Sequence, residues 1–312
     1  MDAGARYGLH PSFKSISNLA KFYLFEPEPF EFSRLCEKYK NHSNVEVSNL
    51  ALSNQKEILN LRVSQHSALS TLKPIGTYVT EENYKVMEFS EVASVKVETD
   101  LLDSVFSNIK VDFLKLDVEG FELNVLEGAE FQLDNNIVGV RSEVTFADLH
   151  GNGPSFGEIN KFLLSKNFEL LNLDYNGQGF GLSKITHPHK FGKLISTDGV
   201  WIKKAKYLDN EEKRLEKTLK VVIFCLLNGA TDVAVALLLD LSKICNILDD
   251  SINIREVKFI RKYLALLCKE LSYNPNVDFQ IVLENWSSIF SEDFPILSDF
   301  WVVFSTENEE EI

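Results

Sequence analysis

Between residues 21 and 205, short β-rich runs alternate with longer runs of helical spacing, and this alternation constrains the fold more than any other feature of the chain. KFYLFEP (21–27) predicts a strand, EFSRLCEKY (31–39) a helix, and VEVSNLALS (45–53) and ILNLRVS (58–64) two more strands. VDFLKLDVEG (111–120) predicts a strand running into a turn, ELNVLEGAEFQLD (122–134) a helix, IVGVRSEVTF (137–146) a strand and FGEINKFLLSKN (156–167) a helix. FELLNLD (168–174) and GVWIKKA (199–205) supply the last strands. Strands separated by helices are joined by crossovers, so an α/β fold is expected, with a mostly parallel sheet and helices on both faces.

After about residue 207 the period changes. Segments 209–228, 231–248, 254–272 and 277–290 carry apolar residues at helical spacing without β-alternation. NGATD (228–232) reads as a helix stop, with Thr231 or Asp232 capping the next helix. The expected organisation is a domain over 1–207 and a helical domain over 208–312 that ends in the acidic tail ENEEEI. The tail reads as a frayed end. The helical domain suits a cap on the active site, a partner protein or an oligomer, and its pattern does not choose among them.

The chain carries 46 Asp and Glu against 32 Lys and Arg, a formal net charge of -14, so a nucleic acid is a poor partner. Cys36, Cys225, Cys245 and Cys268 lack the paired spacing of a zinc site and read as reduced, mostly buried thiols, which suggests a cytoplasmic location. The most apolar stretch, 221–241, is interrupted by Asn228, Gly229, Asp232 and Asp240 and suits two packed helices better than a membrane span.

Three places can carry chemistry. In the opening MDAGARYG, Asp2, Gly4 and Gly8 stand where a strand would turn into a helix, and glycines there let backbone N–H groups approach a ligand; a plain glycine turn is the competing reading. In YLFEPEP, Glu26 ends a strand and can accept both hydroxyls of a ribose, or be a solvated carboxylate. In FLKLDVEG, Asp117 and Glu119 leave a buried strand at the ligand-binding edge of an α/β sheet; alternatively Asp117 caps the helix that begins near Glu122.

DAGARYG, LFEPEPFEFSRL, NLALS, SALSTL, DFLKLDVEGFELNVLEGA and VRSEVTF, in this order, resemble the FkbM-type family of S-adenosylmethionine-dependent methyltransferases over about residues 1–205. The resemblance implies a class I methyltransferase (Rossmann-like) fold and methyl transfer from S-adenosylmethionine to a hydroxyl of a sugar, glycan or secondary metabolite. It places Asp2, Gly4 and Gly8 at the methionine part, Glu26 at the ribose, Ala51 and Leu52 near the adenine, and Asp117 and Glu119 beside the methyl group and acceptor.

The candidate bases for the acceptor hydroxyl are Glu119, Glu143 and His10, and His66, Ser67 and Ser70 match the family's serine–leucine segment and are candidate acceptor contacts. Asp117, Glu119 and Glu143 form an oxygen set able to hold a divalent metal, but adjacent strand ends gather carboxylates for other reasons, and no metal site is assigned. His187 and His189 read as surface residues.

The strand leading into the opening loop would be the central one, and here it is little more than Met1. A gap in the sheet is therefore expected, with a truncated or late-assigned start as its explanation. A non-catalytic scaffold of the same fold is one alternative. A nucleotide- or sugar-binding protein, or an NAD-dependent enzyme using the same acidic ribose contact, is another, and the lack of the third glycine of the dinucleotide fingerprint argues against it.

Overall fold

The computed structural model describes residues 1–82, 84–174, 180–181, 193–207 and 211–247. The described residues form twelve strands, β1 (Asp2–Ala3), β2 (Phe22–Phe25), β3 (Val45–Ser48), β4 (Ala51–Leu52), β5 (Ile58–Ser64), β6 (Glu91–Asp100), β7 (Phe113–Leu116), β8 (Gly139–Thr145), β9 (Phe168–Asp174), β10 (Phe180–Gly181), β11 (Lys193–Leu194) and β12 (Ser196–Lys203). Seven form one sheet in the order β3-β2-β1-β7-β8-β12-β9. The first five run parallel, and β12 is antiparallel to both β8 and β9. The result is a mostly parallel α/β sheet, consistent with a methyltransferase fold.

The expected gap is bridged. Asp2 pairs with Leu24 on one side and Lys115 on the other, and Ala3 pairs with Phe25 and Leu116. The Met1 amino group donates to the Phe113 carbonyl at 2.8 Å, and the Lys115 N–H donates to the Met1 carbonyl at 2.9 Å. Two residues suffice because a strand between two parallel neighbours bonds to both at once.

Three local expectations are corrected. VEVSNLALS is two strands: β3 stays in the main sheet, while β4 pairs with Thr99 and Asp100 of β6. EVASVKVETD, read as no element in the sequence, forms the ten-residue β6, held by antiparallel pairing with the whole of β5, which lies more than 25 residues earlier. ELNVLEGAEFQLD is two short helices, Glu122–Glu127 and Glu130–Asn135. They part at Gly128, which packs against the Ser53 carbonyl.

The helix Pro29–Tyr39 starts where proline at its first position and Glu28 as N-cap direct it; Glu28 accepts the N–H groups of Phe30 and Glu31. Its Leu35 is fully buried, which contributes about 1.5–3 kcal/mol. The helix Phe156–Ser165 begins with a capping box formed by Ser155 and Glu158. It holds Trp201 of β12 through Asn160 at 3.0 Å. The core between these elements is built on Leu114, Leu116, Val140, Ile159, Phe168 and Trp201.

The chain divides into two units, Met1–Gly229 and Ala230–Ile312. The helix Glu211–Leu227 belongs to the first and contacts β12. Gly229, at φ +76°, follows its end as expected for a left-handed stop, and a helix over Thr231–Ile247 begins after it. No described helix is long and apolar enough to cross a membrane. Of the cysteines, Cys225 is buried and Cys36 exposed, both as free thiols. The expected helices 254–272 and 277–290, the acidic tail, Cys268, His187 and His189 lie outside the described residues.

Candidate functional site

One row of the sheet sets the site. Ser48, Phe25, Ala3, Leu116 and Ser142 stand side by side across the five parallel strands. In parallel strands the next residue of each stands at the same edge, so Glu26, Gly4 and Asp117 leave the sheet together, and Glu143, still inside β8, stands level with them. The register, rather than any local motif, gathers them.

Gly4 is required at its place. Its φ is +74°, and a Cβ there would collide with the Asp117 carbonyl, so the β1 turn can lie against the β7 turn only without a side chain. Beneath that contact, the Lys115 ammonium lies 3.2 Å from a carboxylate oxygen of Asp2 and 3.2 Å from one of Asp117. Burial raises the Asp2 carboxyl pKa above its usual value, and Lys115 opposes that rise. Burial pulls the lysine down, but Asp117 and Asp2 outweigh it and leave its pKa raised.

Glu26 is 6% exposed, and its Oε1 accepts the N–H of Glu28 at 3.0 Å. Burial pushes its carboxyl above the usual range, against the pull of that N–H and of Arg6. Arg6 reaches 3.7 Å from both Glu28 and Glu31 and donates to the Ser67 carbonyl, so it ties the opening loop to two neighbouring segments.

The turn after β7 is held from within. Glu122 Oε1 accepts the N–H of Val118 at 3.0 Å and of Gly120 at 3.3 Å. Burial raises the Glu122 carboxyl to about 7. The following helix has Phe121 as its N-cap without a side-chain cap bond, so the capping alternative for Asp117 is not realised. Glu119 sits at φ +52°, a left-handed conformation that costs a residue with a side chain about 1 kcal/mol or more. Its carbonyl accepts the Thr71 hydroxyl at 2.5 Å. Gly120, at φ +88°, leaves space that a Cβ would take from the His150 ring.

Gly4, Glu26, Ala51, Leu52, Ser67, Ser70, Asp117 and Glu119 line one cleft at this edge. Asp2 lies buried beneath it, and Gly8 packs against Tyr39 and Lys38. His66 is exposed at the start of the short helix Ser67–Leu69. His10 caps the short helix Pro11–Ile16, accepting the Ser12 N–H at 3.3 Å, and burial followed by Arg141 and Lys115 lowers its pKa to about 4. Glu143 lines a second cavity of about 220 Å³ together with Glu119, Tyr84, Lys85 and Ser196. Glu119 is therefore common to both spaces.

Sequence reasoning missed Lys115, Arg6, Glu122 and His150. A lysine inside the apolar run FLKLD was the available signal for the first, since a buried ammonium needs partners. His150 carried no such signal, because it lies on a loop seven residues after Glu143 and its other neighbour, Glu119, is 31 residues away.

The family description "Methyltransferase FkbM domain" matches residues 2–170. A solved structure described as methyltransferase FkbM from Methylobacillus flagellatus KT is similar at 12% identity and a TM-score of 0.37, over 64% of this chain and 42% of that one. The chain thus spans under half the length of that relative. No curated protein matches.

Proposed function

The chain belongs to the FkbM methyltransferase family, and from that premise we propose that it transfers a methyl group from S-adenosylmethionine to a hydroxyl oxygen of a sugar, glycan or small hydroxylated metabolite. The observation that carries this reading is the cleft in which Gly4, Glu26, Ala51, Leu52, Asp117 and Glu119 meet. In this reading Glu26 receives the ribose hydroxyls, Ala51 and Leu52 flank the adenine, and the Gly4 turn faces the methionine part. Gly8 and Asp2 support that turn from behind. Ser67 and Ser70 border the side from which an acceptor would enter, with His66 at its rim.

The reaction is an in-line displacement. The S–CH3 bond breaks, its electron pair stays on sulfur, and an O–CH3 bond forms on the acceptor. Alignment supplies most of the rate, and the hydroxyl proton must go to a base. Glu119 is the assigned acceptor of that proton, because it alone among the candidate bases borders both cavities. Burial raises its carboxyl pKa and so makes it a stronger base than an exposed glutamate. Glu143 stands behind it, and Asp117 steers the sulfonium side.

Calorimetric titration of the 312-residue chain with S-adenosylhomocysteine tests the reading. Stoichiometric binding is expected, weakened about tenfold in Glu26→Ala, since a hydrogen bond to a charged group contributes about 1.5–3 kcal/mol. Unchanged affinity in a folded variant would remove Glu26 from the ribose. No binding by the wild-type chain would favour a scaffold without catalysis.

A further inference from the structure

Behind the cleft three side chains converge, Glu119 from the turn after β7 and Glu143 and His150 from β8 and the loop that follows it. Ligand atoms of Glu119, Glu143 and His150 all lie within 4.8 Å of one another. His150 is 3% exposed, and neither of its ring nitrogens has a hydrogen-bond partner. Its Nε2 stands 3.1 Å from Oε2 of Glu119, so the imidazole and the carboxylate already face one another. Oε2 of Glu143 is likewise buried without a partner. Buried polar atoms are nearly always satisfied, so a buried imidazole beside a carboxylate oxygen without a partner marks a place built for something that is not protein.

We propose that Glu119, Glu143 and His150 form a binding site for one divalent cation. Two carboxylates and one imidazole present hard oxygens with a borderline nitrogen, a set that suits manganese-like first-row ions better than magnesium, which demands oxygen throughout. Three protein ligands leave positions open, and the cavity of about 220 Å³ that Glu119 and Glu143 line is where they would open. The occupant of those positions is an acceptor carrying a hydroxyl, so the ion would orient the group to be methylated and acidify its hydroxyl, with Glu119 giving one oxygen to the ion and keeping the other for the proton. This role rests on the methyl-transfer reading; the ion site itself does not.

The backbone supports the same cluster. Glu119 is held in its left-handed conformation by Thr71, and the absence of a side chain at Gly120 admits the His150 ring. Phe89 packs against that ring at 5.9 Å and limits its rotation. Asp117, which the sequence offered as a further oxygen beside Glu119 and Glu143 without a metal site being assigned, is instead engaged by Lys115.

The test uses the full chain, stripped with chelator and titrated with Mn2+ under electron paramagnetic resonance. One ion per chain is expected, with nitrogen modulation from a single imidazole. Glu143→Gln, checked for folding by thermal melting, should weaken Mn2+ at least tenfold, and His150→Asn should abolish the nitrogen signal. Absence of stoichiometric Mn2+, or bound Mn2+ without nitrogen coupling in the wild-type chain, overturns the site. Equal affinity in folded Glu143→Gln does so as well. Mn2+ bound with nitrogen coupling by a chain that ignores S-adenosylhomocysteine would sustain the site while removing the methyl-transfer reading.

Discussion

Asp2 and Asp117 meet a lysine beneath the sheet edge, whereas Glu119 and Glu143, next to them, meet a histidine. The first group is charge-paired, with one ammonium 3.2 Å from a carboxylate on either side, although neither Asp2 oxygen makes a hydrogen bond. The second is open, with two carboxylates whose pKa values burial raises, Glu143 well above its usual value and further lifted by Glu119 and Asp117. A charge-paired group fixes geometry, and an open one retains capacity to take up a proton or an ion. Both stand where parallel strands end, so the difference comes from one residue of β7 that points down into the edge.

Replacing Lys115 by methionine should make the first group resemble the second and produces the largest expected effect. Asp2 has a side chain only 3% exposed, and stranding a buried partner costs about 3–5 kcal/mol. Urea unfolding measures it. A loss under about 1 kcal/mol, the range of exposed pairs, would break the comparison.

Glu122 sharpens the contrast from the other side. Its carboxyl is raised to about 7, with burial as the main cause, Glu119 adding to it and His150 opposing. A carboxyl held above its unfolded value stabilises the fold below about pH 4.5, and that contribution is lost as pH rises through about 7. Stability of the metal-free chain should therefore fall across this window, by at most about 1.4 kcal/mol per pH unit from this group. Glu122→Gln should flatten the slope, leaving a remainder of the same sign from Glu119 and Glu143. An unchanged slope in a folded variant would show that Glu122 does not titrate there.

Asp117 tests whether its two roles separate. Its side chain is 43% exposed against 3% for Asp2, although both pair with the same lysine. Asp117→Asn should cost under about 1 kcal/mol in stability, as exposed pairs do, and lower the methyl-transfer rate about tenfold. Full activity would take Asp117 out of the site, and a large stability loss would make it structural like Asp2.

What the sequence disclosed follows the same division. Glu26 and Asp117 were legible because each directly follows an apolar strand, Gly4 because it opens a small-residue turn, and parallel register carries strand ends to one edge. The sheet's parallel character was legible for the same reason. The pairing of β6 was not, and with it went the support of Ala51 and Leu52, since β4 exists only through Thr99 and Asp100. The cluster of Glu119, Glu143 and His150 was half legible: the carboxylates stand near strand ends, while the histidine arrives on a loop after β8 with no periodicity to announce it. The two-residue β1 shows the limit of counting residues per strand, because pairing on both sides replaced length.

His10 belongs to neither group and gives the smallest expected effect. Its Nδ1 caps the Pro11–Ile16 turn, and its pKa near 4 leaves the ring neutral at physiological pH. His10→Asn retains a side-chain acceptor for the Ser12 N–H, so stability should stay within about 0.5 kcal/mol. His10→Ala should lose about 1 kcal/mol of capping. If the ring only caps, both variants keep the methyl-transfer rate within about twofold, whereas removing a general base costs about a hundredfold or more. A common collapse of activity in asparagine and alanine variants of equal wild-type fold would move the base from Glu119 to His10. The open carboxylate group would then be left with ion binding as its sole chemistry.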